Sequence, residues 1–192
     1  MKRLIIGISG ASGVIYGVRL LQVLYNLVDV ETHLVISNAA RQTMALETSL
    51  NFHEVQVLAN VVHDSRNIAA SISSGSFRTL GMVILPCSIK TLSGIVNSYS
   101  DNLLIRAADV TLKERRPLLL CVRETPLHLG HLRLMIKAAE MGIVIMPPVP
   151  AFYHLPKSVS EIIDQTVNRV IDQFGIELPI DLFARWQSSL LA

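Results

Sequence analysis

Glycine, alanine and serine fill the stretch Ser9-Gly-Ala-Ser-Gly13, which follows the apolar run Leu4, Ile5, Ile6 and Ile8. Val14, Val18, Leu21 and Leu24 then recur at helical spacing. Small residues let the backbone turn tightly and let a ligand approach closely. Strand, small-residue turn and helix in that order leave the helix's first amides unpaired at the positive end of its dipole, a site suited to a phosphate. A tight connection that binds nothing is the plainer alternative. Gly7, Gly10 and Gly13 follow a G-x-x-G-x-x-G spacing rather than the G-x-G-x-x-G dinucleotide fingerprint. No G-x-x-x-x-G-K-[ST] run is present, which argues against a Walker-type triphosphate site.

Other residues with chemistry in them are scattered along the chain. Glu47 falls at the far end of a predicted helix, on the unfavourable side of the dipole for a carboxylate. Ser88 and Thr91, in a hydroxyl-rich turn after an apolar run, can bind a ligand or cap the helix that follows. Cys87 beside them has no histidine nearby in sequence to activate it as a nucleophile. Arg106 and Lys113 are seven apart and project from one helix face, while Asp109 precedes Lys113 by four and is expected to pair with it. Arg123-Glu124 directly follows an apolar run, where strand ends form the ligand crevice of open α/β sheets. His128 and His131 are spaced i, i+3 as metal ligands can be, but no third ligand stands out.

The elements that must position these groups alternate. Strands are predicted near residues 4–8, 31–37, 81–86, 117–122 and 142–146, with helices between them. Ser37 or Asn38 caps a helix whose packing face is Ala39, Ala40, Met44, Ala45 and Leu46. Val55, Leu58, Val61 and Val62 suggest a short helix or edge segment, and Ser65–Ser76 reads as a polar surface or interface loop. Asp101 is read as the cap of the helix carrying Leu104, Ile105, Ala108 and Leu112, and Thr125-Pro126 as the start of the helix bearing the two histidines. Pro147–Pro156 is too proline-rich for a helix or central strand, and is read as a rigid loop presenting Phe152, Tyr153 and His154 across the site or to a neighbouring subunit. A strongly amphipathic helix follows, with Val159, Ile162, Ile163, Thr166, Val167, Val170 and Phe174 as its stripe, Arg169 near its polar flank and Gly175 at its end. Pro179 starts a last short helix with Phe183, Trp186 and Leu190 on one side. The pattern predicts an α/β fold: a single-domain doubly wound (Rossmann/flavodoxin-like) parallel sheet flanked by helices, covering residues 1–192.

At 192 residues, with 51% hydrophobic and 17% charged, the chain is more apolar than a typical soluble domain, yet no run is long enough to span a bilayer. The surplus apolar surface predicts a homo-oligomer. A net charge of +2 without a basic stripe argues against nucleic acid. Cys87 and Cys121 read as reduced thiols of a cytoplasmic protein, and the first residues do not form a signal peptide.

Taken together, Ser9–Gly13, Pro86-Cys-Ser-Ile-Lys-Thr91, Asn102–Asp109, Leu112-Lys-Glu-Arg-Arg-Pro117, Arg123-Glu-Thr-Pro126 and Ala151-Phe-Tyr-His154 resemble the UbiX-type flavin prenyltransferases, in order and over nearly the whole chain. Thr125 stands where that family more usually has alanine. The resemblance implies a metal-independent transferase. It joins the dimethylallyl group of dimethylallyl monophosphate to N5 and C6 of reduced FMN, giving prenylated FMN for a UbiD-type decarboxylase in ubiquinone biosynthesis or aromatic acid decarboxylation. It further implies a dodecamer. Gly10, Ala11, Ser12, Ser37, Ser88, Ile89, Lys90, Thr91 and Arg123 match flavin-binding positions. Lys113, Tyr153 and Arg169, with Arg106 close by, match the substrate phosphate site, and Ser12, Glu47 and Glu124 match positions that handle protons. Two other functions compete: a flavin-dependent decarboxylase acting directly on an aromatic acid or a cysteine, and a non-enzymatic FMN carrier. The first would require a catalytic base suited to decarboxylation and, in the cysteine decarboxylases, a substrate clamp rich in Asn and Met that is not found, and the second would have no use for a second phosphate cluster.

Overall fold

The computed structural model describes residues 1–186. Six parallel strands, β1 (Lys2–Ile8), β2 (Val30–Ile36), β3 (Val61–His63), β4 (Gly81–Cys87), β5 (Leu118–Val122) and β6 (Val144–Ile145), form one sheet in the order β3-β2-β1-β4-β5-β6. That is the doubly wound order associated with dinucleotide folds, reached here without their glycine fingerprint. The helices are α1 (Val14–Tyr25), α2 (Asn38–Glu47), α3 (Phe52–Gln56), α4 (Ile89–Val96), α5 (Leu103–Lys113), α6 (Leu129–Glu140) and α7 (Val159–Asp172).

Alternation along the strands builds two cores. Leu4, Ile6 and Ile8 of β1 face α1 and α7, whereas Ile5 faces the side covered by α4 and α5. On that second face Gly7 has no room for a side chain, since a Cβ would lie 2.5 Å from Leu104 Cδ1. Gly17 is similarly forced, because a Cβ there would lie 2.4 Å from the Leu85 carbonyl oxygen and α1 could not seat on the sheet. α1 and α7 are also joined across their polar flanks by Arg19 Nε donating to Asp164 Oδ1 at 2.6 Å.

Several expected boundaries move. The α2 face narrows to Ala40 and Met44, one residue pair four apart, and Ala39, Ala45 and Leu46 are exposed. The cap of α5 is Asn102, whose Oδ1 accepts from Ile105 N at 3.0 Å, while Asp101 Oδ1 accepts from Asn102 Nδ2. α6 starts at Leu129 rather than at Pro126, because the His128 ring closes it by accepting from Gly130 N at 2.9 Å. The segment after Met141 keeps only two residues in the sheet as β6, and β3 is the short edge strand. Val159 opens α7 but is exposed, so the buried stripe begins at Ile163. No helix is formed over residues 179–186, and Leu190 lies outside the described residues. No helix among the described residues is long and apolar enough to cross a membrane.

Candidate active site

Strand β1 lies between β2 and β4, so connections leave the sheet in opposite directions there and the carboxyl ends open into a crevice. Its volume is about 400 Å³, within the range of small-molecule pockets. Gly10 lines it from the first turn, Ser37, Asn38 and Ala39 from the start of α2, Ser88, Lys90 and Thr91 from the start of α4, and Asp101 and Asn102 from the start of α5. Leu104 and Ile105 supply apolar wall, and Ser65 and Arg66 close the side next to β3.

Three helix starts thus face one cavity, each closed by its own side chain. Ser37 Oγ accepts from Ala40 N at 3.1 Å and Ser88 Oγ from Thr91 N at 3.3 Å, with Asn102 doing the same for α5. Ser9, only 1% exposed, binds the first turn to the turn after β4: its hydroxyl donates to Pro86 O at 2.9 Å and accepts from Ser88 N at 2.7 Å. Gly10 sits so close to α2 that a Cβ there would lie 2.4 Å from Ala39 Cβ. Hydroxyls and cations beside apolar side chains suit a group that pairs a phosphate with a flat apolar ring, so these residues fit a flavin mononucleotide.

The start of α1 departs from the sequence reading. Its amides are not vacant for a phosphate, because Glu47 Oε2 accepts from Gly13 N at 2.8 Å and from Val14 N at 3.4 Å. The left-handed Gly13, with φ +94, aims the chain into this arrangement. A carboxylate misplaced at the end of α2 is therefore well placed at the start of α1. Partial burial opposes its ionisation, but hydrogen bonds from the Ser12 hydroxyl and the two amides, with the Arg123 charge nearby, hold its carboxyl below the ordinary value.

Of the expected flavin residues, Gly10, Ser37, Ser88, Lys90 and Thr91 line the crevice. Ala11 is buried and Ser12 is engaged with Glu47. Ile89 and Arg123 are not among the lining residues, the latter being tied by its amide to Cys87 O at 3.0 Å. Ser65, Arg66, Asp101 and Asn102 were not singled out from sequence as site residues. The first two belong to the stretch read as a surface or interface loop, Asp101 stood only as a helix cap, and Asn102 only as the first residue of a segment resembling the family.

The expected phosphate-site cations lie elsewhere in the protomer. Lys113 is at the end of α5 opposite the crevice, about 15 Å along the helix from Leu103, paired with Glu114. Asp109, expected to pair with Lys113, instead accepts from Arg106 Nη1 at 2.9 Å, one turn away on its own helix. Arg169 lies about 15 Å along α7 and donates to Asp172 Oδ2 at 3.0 Å. Asp172 also accepts from Arg185, whose guanidinium sits 5.9 Å from the Phe183 ring, and Phe183 in turn packs edge-on against Tyr153. Tyr153 and Arg169 are thus linked through Asp172, Arg185 and Phe183, whereas Lys113 is paired with Glu114. Glu124 is exposed and accepts from Thr125 N at 3.0 Å.

Burial raises the Cys87 thiol far above the ordinary range and pushes Cys121 up to about 12, so neither is an activated nucleophile. The His128 and His131 rings meet at a tilt of 34° with centroids 3.6 Å apart, and no group of three or more His, Cys, Asp or Glu among the described residues is arranged to hold a metal ion.

The Flavoprotein family model matches residues 1–173. Flavin prenyltransferase UbiX of Escherichia coli (strain K12) is 76% identical over 189 residues, covering 98% of this chain and 100% of that protein. The solved structure of AnUbiX in complex with FMN and dimethylallyl pyrophosphate is similar at TM-score 0.94 and 45% identity, over 97% of this chain and 98% of that one. A dodecameric FMN-dependent UbiX-like decarboxylase from Escherichia coli O157:H7 is similar at TM-score 0.92 and 49% identity, over 97% and 99% of the two chains.

Proposed function

The chain belongs to the UbiX-type flavin prenyltransferases of the Flavoprotein family, and we propose that it joins a dimethylallyl group from dimethylallyl monophosphate to N5 and C6 of reduced FMN. The observation that carries this reading is the crevice at the sheet's switch point, with Glu47 ionised beside it. In this reading residues 1–192 act as one FMN-binding domain in the cytoplasm. The prenylated FMN passes to a UbiD-type decarboxylase, and the protomers assemble as a dodecamer, as in the relative of that size.

FMN supplies an electron-rich ring nitrogen and carbon for the two new bonds. Gly10, Ala11, Ser12, Ser37 and the Ser88–Thr91 turn, with Arg123, hold it. Losing phosphate from an allylic carbon builds negative charge on the departing oxygen, which Lys113, Arg169, Arg106 and the Tyr153 hydroxyl stabilise. Glu124 delivers a proton to the phosphate. Closing the ring would use up the prenyl double bond, whose inner carbon gains a proton returned by the released phosphate as the outer carbon bonds C6, and Glu47 would take the proton displaced from C6 through the Ser12 hydroxyl. Because none of Lys113, Arg169, Tyr153 and Arg106 lines the crevice of its own protomer, we assign the substrate phosphate to a boundary between protomers. There one subunit's cations meet another's crevice.

Anaerobic incubation with reduced FMN and dimethylallyl monophosphate, with the pyrophosphate ester as comparison, tests the reaction. Flavin mass should rise by the prenyl group and phosphate should be released in step. An unchanged flavin would sink the proposal, and carbon dioxide from an aromatic acid without any partner protein would favour the decarboxylase. The shared site is tested by mixing protomers. Glu47→Gln and Lys113→Ala should each be poorly active alone and regain activity when co-assembled, whereas no recovery would place both residues in one subunit's site.

A further inference from the structure

Arg66 has no part in the reaction as described, yet its side chain lines the flavin crevice together with the start of α2. Its backbone is anchored on both sides. Ser65 is buried and its carbonyl accepts from Leu103 N at 2.8 Å, and Arg66 N donates to Asp64 Oδ1 at 3.0 Å. The guanidinium is exposed by contrast: the side chain is 81% exposed and, among the described residues, is held by Asp64 alone, with Nε to Oδ1 at 3.3 Å and Nη2 to Oδ2 at 2.9 Å.

A planar fork already set on two carboxylate oxygens has the geometry needed for two phosphate oxygens. An exposed ion pair of this kind is weak and screened by water, so exchanging the carboxylate for a dianion facing three helix starts is favourable. Lys90 is the other cation lining the crevice, and Asp101 is the carboxylate there, its Oδ1 already bonded to Asn102 Nδ2 at 2.6 Å. Lys90 is a point charge in the first turn of α4 and lacks the two-pronged geometry.

We propose that Arg66 turns from Asp64 to read the 5′-phosphate of the flavin, so that the crevice selects the phosphorylated flavin over riboflavin. The proposal rests on the crevice being the flavin site.

Flavin fluorescence quenching with FMN and riboflavin tests it on the intact protein, for wild type, Arg66→Gln and Asp64→Asn. Arg66→Gln should weaken FMN binding roughly 10- to 100-fold and leave riboflavin within about twofold of wild type. Asp64→Asn, which frees the guanidinium, should tighten FMN a few-fold and leave riboflavin alone. Unchanged FMN affinity in Arg66→Gln, or an equal loss for both flavins, would overturn the assignment. Weaker FMN binding in Asp64→Asn would overturn the release step, making Asp64 an orienting partner instead. Wild-type protein that binds neither flavin would instead overturn the reading of the crevice itself.

Discussion

The two edges of the sheet handle charge in opposite ways. At the carboxyl edge, the starts of α2, α4 and α5 are closed by neutral Ser37, Ser88 and Asn102, so their dipoles still face the cavity, with Asp101 as the carboxylate among its lining residues. Toward the other edge, Lys113 and Arg169 are cations already held by Glu114 and Asp172. The first arrangement is complete within one chain and suits a resident anion. The second suits a cation that must stay soluble until another surface arrives, since exposed pairs of this kind are weak and readily exchanged. The difference teaches that binding the flavin and displacing phosphate are separable tasks, divided between the two ends of the fold.

The sharpest way to break this comparison is Lys113→Ala. Turnover should fall roughly 100-fold or more, as when a fixed charge stabiliser is removed, while FMN affinity stays unchanged. Parallel loss of flavin binding would mean the two edges are not independent. Ser9→Ala tests the opposite edge. It strips the Ser88 amide and the Pro86 carbonyl of their buried partner and should cost about 1–3 kcal/mol, read by denaturant unfolding, with FMN affinity falling as the two turns separate. Unaltered stability would show that the turns are held by packing alone.

Glu47→Gln should slow closure of the new ring, leaving flavin that has gained the prenyl mass without the four-ring absorption. It should also cost about 0.3–1 kcal/mol at the start of α1, an exposed and therefore screened contribution. Because the folded carboxyl lies below its ordinary value of 4.5, that stability is present above about this pH and is lost as pH falls through the lowered value. Melting temperatures of wild type and variant measured from pH 7 to pH 3 should converge at the acid end. The smallest effect is expected of Asp109→Asn, which frees Arg106 from an i, i+3 pair at a cost of about 0.2–0.5 kcal/mol by thermal unfolding.

Much of this architecture was legible in the sequence. β1, β2, β4 and β5 are apolar runs long enough to announce buried strands, and the stripe of α7 from Ile163 onward follows its periodicity. β3 and β6 have three and two residues, too few for a pattern to form. The crevice hydroxyls of Ser37, Ser88 and Thr91 were visible because each sits where a strand gives way to a helix. What local reading could not reach were contacts between distant residues. The α1 amides looked vacant because their partner is 34 residues away. Arg66 looked like surface because only the folded sheet brings its loop beside α2 and α4. Asp109 was assigned to Lys113 by spacing, but Arg106 offers a guanidinium on the same helix and Lys113 has an adjacent carboxylate in Glu114.

The oxygen of Glu47 that accepts the two α1 amides belongs to the same carboxylate assigned to collect a proton. Scaffold and reagent are thus one group. Each time it is protonated the first turn loosens its hold, and only reionisation restores it. A stronger base at this position would demand a drier, less tethered carboxylate and so a slacker turn beneath the flavin. The chain is confined to a mild base by the same atoms that keep its opening loop in shape.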